Sequence, residues 1–499
     1  MSVPDPRTPV LVGTARRTWH PSDEPAPEPL DMWAEIARAA SDDAGTDRDL
    51  IAEVDDLSVV HCQSWAYDDP AARLVDELAL GPGHREVSIL AGTSPQRLIA
   101  HAAERMLAGE TSVALVVGAE ALHTRKVLER AGEGPHWRHP HDTPPVLPID
   151  IDEWYLPTEV AHGMLPAWLT FALLEQARWA ARGATAADRD ALFRTLADLN
   201  AVAVDNPDAW FHDRRTAADI AGGSLANRMV TTPYTKWATA FMDVDMAAGQ
   251  LLMTLEAADR LGVPEDRRVF LRGWGFAREA VHLGARADLT ASAAMVAATG
   301  TALKMADVSA GDVDVFDLYS CFGSAVAFGR DALGLLPDDP RPVSVTGGLA
   351  SHGGPSSNYM GHSISHLVDR LRANPGEVGM TTGIGMHMTK HVAGVWSATP
   401  GPLGTPPPHT DQSWLGDQPD DVVVVDEGRG PATILAATAI CGRDGTPERA
   451  VTICGLPGGT RCYATSDDAA TVGAVAEDAW VGVTAELREG LNGTNLLTF

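Results

Sequence analysis

Along its first 120 or so residues the chain alternates short apolar runs with stretches whose apolar positions recur every three to four residues. TPVLVGTARR, VDDLSVVHCQSW and TSVALVVGAEAL read as strands, and PLDMWAEIARAASDDAG reads as an amphipathic helix. That rhythm predicts a parallel α/β sheet. Ser88-Ile89-Leu90 is a further apolar run, after which Leu98, Ile99, Ala102, Met106 and Leu107 fall at helical spacing, so a strand turns straight into a helix near Ala91. Thr93 followed three residues later by Gln96 predicts a capping box, with Pro95 in the first turn and Gly109 as the stop.

From His123 to about Gly222 the period is helical throughout, as in MLPAWLTFALLEQARWAARG, which predicts an inserted helical region covering one face. DVDMAAGQLLMTLEAADRLGVPEDRRVFLRGWGFA then predicts a helix from about Val244 to Leu261 and a strand from Arg268 to Gly273. A second α/β unit follows, with LTASAAMVAATGTALKMAD as a helix and VDVFDLYSCFGSAVAFGRDALGL as strand, turn and helix. Its corner at Cys321 is placed like the one at Ala91, although the two halves share too little sequence to establish a repeat. Five prolines between Thr399 and Thr410 mark a linker. Beyond it, Asp444-Gly445 and Gly458-Gly459 join short β-rich runs, which predicts a small β-barrel.

Composition narrows the classes. With 499 residues, 45% hydrophobic and 21% charged, the chain has globular composition and room for several domains. A net charge of −29, from 38 basic and 67 acidic residues, argues against nucleic acid and anionic membrane as partners. No leader-like or membrane-spanning apolar stretch is present, so a cytoplasmic protein is expected. The five cysteines, Cys62, Cys321, Cys441, Cys454 and Cys462, are widely spaced with no CxxC pair and are expected to be free thiols without a metal site.

Candidate chemistry gathers in the second half. VSVTGGLASHGGPSSNYMGHSISHLVDRLRANPG contains His352, Gly353, Gly354, Asn358, Tyr359 and His362 ahead of and within a helix; its glycines would let backbone approach a ligand, and it has no nucleotide P-loop pattern. FDLYSCF sets Tyr319 and Cys321 after an apolar strand, and GMTTGIGMHMTKHVAGVWS adds His387 and His391. A lone cysteine in such a place is ordinarily a small core residue. Three such corners in one α/β unit are a better indication of a site, because open α/β sheets bind ligands at the carboxyl ends of their strands.

AGTSPQ, TTPYTKW, MDVDMAAGQLLM, FDLYSCF, VTGGLASHGGPSSNYMGHSISH and TKHVAGVWS together resemble the thiolase superfamily, and in particular its thiolase-like proteins of type 1 with an additional C-terminal domain, often named acetyl-CoA acetyltransferases. The resemblance implies an α/β thiolase fold of two βαβαβαββ halves in αβαβα layers, with a helical loop domain and an extra OB-like β domain. The corresponding boundaries are 1–122 with 223–275 for the first half, 123–222 for the loop domain, 276–404 for the second half and 410–499 for the extra domain. It also implies acyl-CoA or CoA as substrate or ligand, no covalently bound cofactor, and a monomer or homodimer.

The thiolase motifs are altered. Ala91 stands where the acylated cysteine is expected, Gly354 where the histidine of the GHP motif is expected, and Gly383 near the second cysteine; Tyr319 replaces the histidine of an HDCF-like motif that keeps Cys321. Three expectations follow. An acyltransferase would use Cys321 as a displaced nucleophile of lowered pKa, polarised by His362 or His391 and facing the glycine loop. A retro-aldolase on CoA esters would use Tyr319 and Tyr359 as acid and base, with the C-terminal domain as a partner in cis. A binding protein would keep the acyl-CoA or lipid pocket without chemistry.

Overall fold

The computed structural model describes residues 4–22, 25–144, 151–402 and 422–498. The first half contributes β1 (Pro9–Thr18), α1 (Pro29–Asp43), β2 (Asp56–Val59), α2 (Pro70–Leu78), β3 (His84–Val87), α3 (Ser94–Ala108) and β4 (Val113–Ala121). Next come the helices α4 (Leu122–Ala131), α5 (Ile151–Trp154), α6 (Pro157–Ala161), α7 (Ala167–Arg182), α8 (Ala186–Asp205) and α9 (Ala217–Ala221), and a short hairpin of β5 (Met229–Thr231) and β6 (Tyr234–Thr235). β7 (Asp245–Thr254) and α10 (Leu255–Arg260) return the chain to the sheet.

That return departs from the expected helix at Val244–Leu261. DMAAGQLLMT is helix-prone, yet as β7 it lies between β4 and β1, antiparallel to both and fully buried. Gly249 shows why packing prevails: a Cβ there would lie 2.8 Å from Ile36 and 2.9 Å from Val117, so the strand fits tightly between α1 and β4.

The second half supplies β8 (Val269–Arg278), α11 (Ala293–Met305), β9 (Val315–Asp317), α12 (Gly323–Leu333), α13 (Tyr359–Ala373), β10 (Val378–Gly385) and β11 (Lys390–Ser397). One nine-stranded sheet runs β3-β2-β4-β7-β1-β8-β11-β10-β9. In each half a parallel pair (β2 with β4, β9 with β10) is followed by an antiparallel strand (β7, β11) and then by the half's first strand (β1, β8), antiparallel to it. β1 and β8 meet at the centre. The duplication hidden in the sequence is therefore explicit in strand order. α3 and α13 pack on each other and on strands of both halves, α1 covers the first half and α11 the second, which gives the alternating layers.

The helix after Ala91 begins and ends as expected, with Pro95 in its first turn and Gly109 in the left-handed conformation at its end. The capping box does not form. Thr93 is already in the helical region and makes no side-chain cap, while the Gln96 carboxamide turns inward and accepts a 3.1 Å bond from Thr381 Oγ1. A buried partner in the opposite half outcompetes a local cap.

The proline-rich linker lies mostly outside the described residues. After it, β12 (Gly430–Cys441), β13 (Pro447–Gly455), β14 (Arg461–Ser466), α14 (Ala469–Glu477), β15 (Thr484–Glu489) and β16 (Asn495–Thr498) form a closed five-stranded barrel, β12-β13-β14-β16-β15 and back to β12. Gly445, Gly458 and Gly459 take positive φ at the expected turns. β5 extends the barrel sheet by pairing with β12, and the Tyr463 hydroxyl donates to Glu159 Oε1 at 2.6 Å while accepting the Gly284 N–H at 2.7 Å. All five cysteines are free, and among the described residues no helix is long and apolar enough to cross a membrane.

Candidate functional site

The two strand-to-helix corners meet. At the first, Ala91 is buried and its N–H donates to Ser357 Oγ at 3.1 Å, and Ser94 Oγ donates to the Ile89 carbonyl at 2.9 Å. Gly92 leaves the space that the second corner fills: a Cβ on Gly92 would lie 2.2 Å from Tyr319 Oη and 2.4 Å from the Ile384 carbonyl. Gly385, the last residue of β10, also faces the Ala91 side chain, with a Cβ there 3.2 Å away. Ala91, Tyr319 and the end of β10 thus surround one buried point at the start of α3.

The second corner leaves β9 at Asp317. The Tyr319 N–H donates to Thr382 Oγ1 at 2.9 Å, the Cys321 carbonyl accepts the Ala240 N–H at 3.0 Å, and Phe322 stacks on Phe171 of α7 with ring centres 4.6 Å apart. Cys321 does not have the lowered pKa expected of it. Burial pushes its thiol far above the ordinary range, and among the described residues no histidine hydrogen-bonds to it. Its neighbourhood includes Tyr234, whose hydroxyl donates to Ser324 Oγ (2.8 Å) and Glu175 Oε2 (3.3 Å). Burial raises the Glu175 carboxyl to about 7.

The glycine-rich loop serves packing. Gly347, Gly348 and Gly353 have φ of 106°, 78° and 102°, and a Cβ on Gly347 would strike Ala203 of α8 at 2.4 Å. A Cβ on Gly353 would meet Met246 Sδ at 3.0 Å, and the Gly354 N–H donates to the Phe241 carbonyl at 2.8 Å. The room expected for a ligand beside these glycines is taken by protein. Asn358 is likewise committed, donating to the Gly118 carbonyl at 2.7 Å and so tying the loop to β4.

Tyr359, His352 and His362 do come together. The Tyr359 ring stands perpendicular to Tyr319 at 5.5 Å, and its hydroxyl pairs with Thr346 Oγ1 at 2.6 Å. His352 lies 5.9 Å from Tyr359, 5.3 Å from His362 and 5.7 Å from His366, ring centre to ring centre. Burial holds His352 neutral, its pKa brought down to about 4, and holds His362 and His366 well below the ordinary histidine value. His391 sits apart at the start of β11, where Nε2–H donates to the Met388 carbonyl at 3.0 Å and the ring lies near Ser292. It polarises neither Cys321 nor Tyr319. Among the described residues no group of histidine, cysteine and acidic side chains has a metal-holding arrangement.

The sequence does not single out His366, gives Tyr234 no role and does not show the partners of His387. His366 is four residues after His362 on α13, a spacing visible in HSISH, and Tyr234 lies within TTPYTKW. His387 pairs through Nε2 with Tyr155 at 2.5 Å and through Nδ1 with Thr170 at 2.8 Å, contacts spanning more than 200 positions that no local pattern reveals.

Sheet order, paired corners and cis-attached barrel define a thiolase-type architecture, shared with solved thiolases and thiolase-like proteins. Within it the chain resembles a monomeric SCP2-thiolase like protein type 1 (STLP1) from Mycobacterium smegmatis, at 29% identity over 99% of both chains with a TM-score of 0.83. An Ltp2-ChsH2(DUF35) aldolase matches 79% of this chain and 98% of its own at 15% identity and a TM-score of 0.62, a likeness of fold. An acetyl-CoA acetyltransferase from Methanothermobacter thermautotrophicus is 26% identical over 206 residues, 37% of this chain and about half (51%) of that relative. No family model matches.

Proposed function

We propose that the chain acts on acyl-CoA thioesters at the buried point beside Ala91 and Gly92, with Tyr319 in place of a thiol, and cleaves or forms a carbon–carbon bond without acylating the protein. The carrying observation is the Tyr319 hydroxyl packed over Gly92 at the start of α3. The step this supports is retro-aldol cleavage of a β-hydroxyacyl-CoA. The β-hydroxyl proton leaves toward Tyr359, the Cα–Cβ bond breaks to give a carbonyl product, the enolate carbon takes a proton from Tyr319, and Tyr319 regains one from solvent as the products leave. Burial raises the Tyr319 phenol far above its ordinary range, so Tyr319 is a donor rather than a standing phenolate. CoA is substrate here, and no covalently held cofactor takes part. The acyltransferase alternative, with Cys321 as nucleophile, is disfavoured because burial keeps its thiol protonated.

The same proposal treats the barrel as an OB-type module acting in cis. Its support is the Greek-key strand order, the parallel pairing of β14 with β16, and α14 between the third and fourth strands. A second reading, a protein that holds acyl-CoA without turnover, is favoured by the burial of the site: Tyr319 is 6% exposed, Cys321 8%, and His352 and Tyr359 0%.

The test is native and intact-protein mass spectrometry after incubation with acetyl-, acetoacetyl-, long-chain, steroid and β-hydroxyacyl-CoA esters, with peptide mapping and product analysis. Ester binding, no protein adduct and a carbonyl product lost about a hundredfold in Tyr319→Phe are expected. An acyl group on Cys321 overturns the proposal, and tight binding with no product from any ester establishes the second reading.

A further inference from the structure

Behind Tyr359, three buried histidines lead toward two surface carboxylates. His352 and His362 are both 0% exposed. His352 Nδ1–H donates to the Gly353 carbonyl at 3.3 Å, which fixes the tautomer and leaves Nε2 as an acceptor with no partner. His362 has no hydrogen-bond partner at either ring nitrogen. Leaving a buried polar atom unpaired costs about 1–3 kcal/mol, so three in one cluster call for a use. His366 continues outward: its Nε2 lies 3.3 Å from Asn206 Nδ2 and 3.6 Å from Asp208 Oδ2. Arg16 bridges Asp208 to Asp369, each at 2.7 Å, and the Asp369 side chain is 47% exposed.

We propose that His352 is the hub of a proton path that runs from Tyr359 through His366 to Asp208 and solvent. This rests on the tyrosine-based reading given above and supplies what it lacks, because a tyrosine buried this deeply can take a substrate proton only while passing on its own. As the substrate hydroxyl proton reaches the Tyr359 oxygen, the phenol, which rests against Thr346 Oγ1, turns to give its own proton to the unpartnered His352 Nε2; the resulting cation swings to give a proton to His366, which sheds one to Asp208 or solvent. One proton enters and one leaves, and no electrons are transferred. His352 is suited to this as a neutral ring 5.9 Å from Tyr359 and 5.7 Å from His366, ring centre to ring centre, while burial, with the Arg16 guanidinium adding to it, disfavours a proton resting on His352, His362 or His366, and the Asp208 carboxylate draws it outward from His352. His352, His366 and Asp208 are positioning residues for proton traffic, since none is placed against the reacting carbonyl.

The path is testable without a substrate. In the ligand-free protein labelled with nitrogen-15 at histidine and methionine, the imidazole N–H of His352 is expected to exchange with solvent far faster than the amide of the adjacent buried Met246, and Asp208→Asn is expected to slow it about tenfold. Protection equal to that of Met246, or no effect of Asp208→Asn, overturns the proposal. Where turnover is measurable, His352→Gln is expected to lower kcat about a hundredfold with KM unchanged, partly restored by added imidazole; an unchanged kcat in a variant that unfolds at the parent midpoint also overturns it. Absence of turnover with every ester defeats the tyrosine mechanism but leaves the exchange result to decide the path.

Discussion

Replacing Gly92 with alanine puts a methyl group where the two corners touch. Its Cβ would lie 2.2 Å from Tyr319 Oη, 2.7 Å from Tyr319 Cζ and 2.4 Å from the Ile384 carbonyl. Ordinary contact between such atoms is about 3.5 Å, so the gap must open by about 1 Å on two sides. The tyrosine can tilt only into Tyr359, whose ring already meets it edge to face. Ile384 is main chain in β10, paired in register with His391, and yields less. Overpacking of this kind costs about 1–3 kcal/mol. In a chain this long that is only about 1 °C of melting temperature per kcal/mol, so urea midpoints are the better assay. Tyr319→Phe removes the nearest atom but not Cζ or the carbonyl, so the double variant should recover about 0.5–1 kcal/mol of the penalty. Gly300→Ala is the control: it is an exposed site inside α11 with nothing within 4 Å of the added carbon, and should stabilise by about 0.5–1 kcal/mol. If Gly92→Ala unfolds at the parent midpoint with no coupling to Tyr319, the corners do not meet as described.

Acidification provides a second check. In the folded protein burial keeps His352, His387 and His391 neutral down to about pH 4, whereas the unfolded chain protonates them near 6.5. Each therefore withdraws stability as pH falls through that window, by about 1.4 kcal/mol per pH unit. Glu120 and Glu175, whose pKa values burial raises to about 7, act oppositely between 7 and 4.5. Burial likewise raises Asp31, Asp245 and Asp317 and lowers His61, His162, His362 and His366, so the depressed histidines still outnumber the raised carboxyls and urea midpoints should fall between pH 6.5 and 4.5; a rise would show that the buried rings are charged. A third check is Tyr463→Phe, which strips a hydrogen bond from the buried Glu159 carboxylate and another from the Gly284 N–H. It should cost about 2–4 kcal/mol at the barrel's docking face, seen as a separate early unfolding transition of the barrel.

The α3 start, the second strand-to-helix corner and the barrel hairpins were legible in the sequence because each is written in local chemistry, whereas the strand before α3 ends at Val87 and not at the apolar run Ser88–Leu90, and the missing corner thiol was legible only through the family resemblance. Gly109 ends a helix by its own conformational freedom, and Ala91 lacks sulfur wherever it is placed. β7 was not legible: DMAAGQLLMT has helix-forming side chains, and only its position between β4 and β1 makes it a strand. The glycine loop misled for a related reason, since its glycines relieve contacts with Ala203 and Met246, residues more than 100 positions away. Cys321 was misread because sequence does not report burial, and burial reverses the direction of its pKa shift. Tyr359 and His352 stand close together in one motif, but the approach of His352 to His366, and of His366 to Asp208, depends on how α13 faces the segment after α8.

The pairing of β5 with β12 has a consequence for how the barrel is supplied. A separate subunit must be made in matching amounts and found by diffusion, and its occupancy falls whenever its concentration does. Here the chain itself contributes a strand to the barrel sheet from a point some 200 residues earlier, so the two parts meet at an effective concentration on the order of millimolar whatever the expression level. Their ratio is fixed at one, and dilution that would strip a partner from a two-chain assembly leaves this one intact.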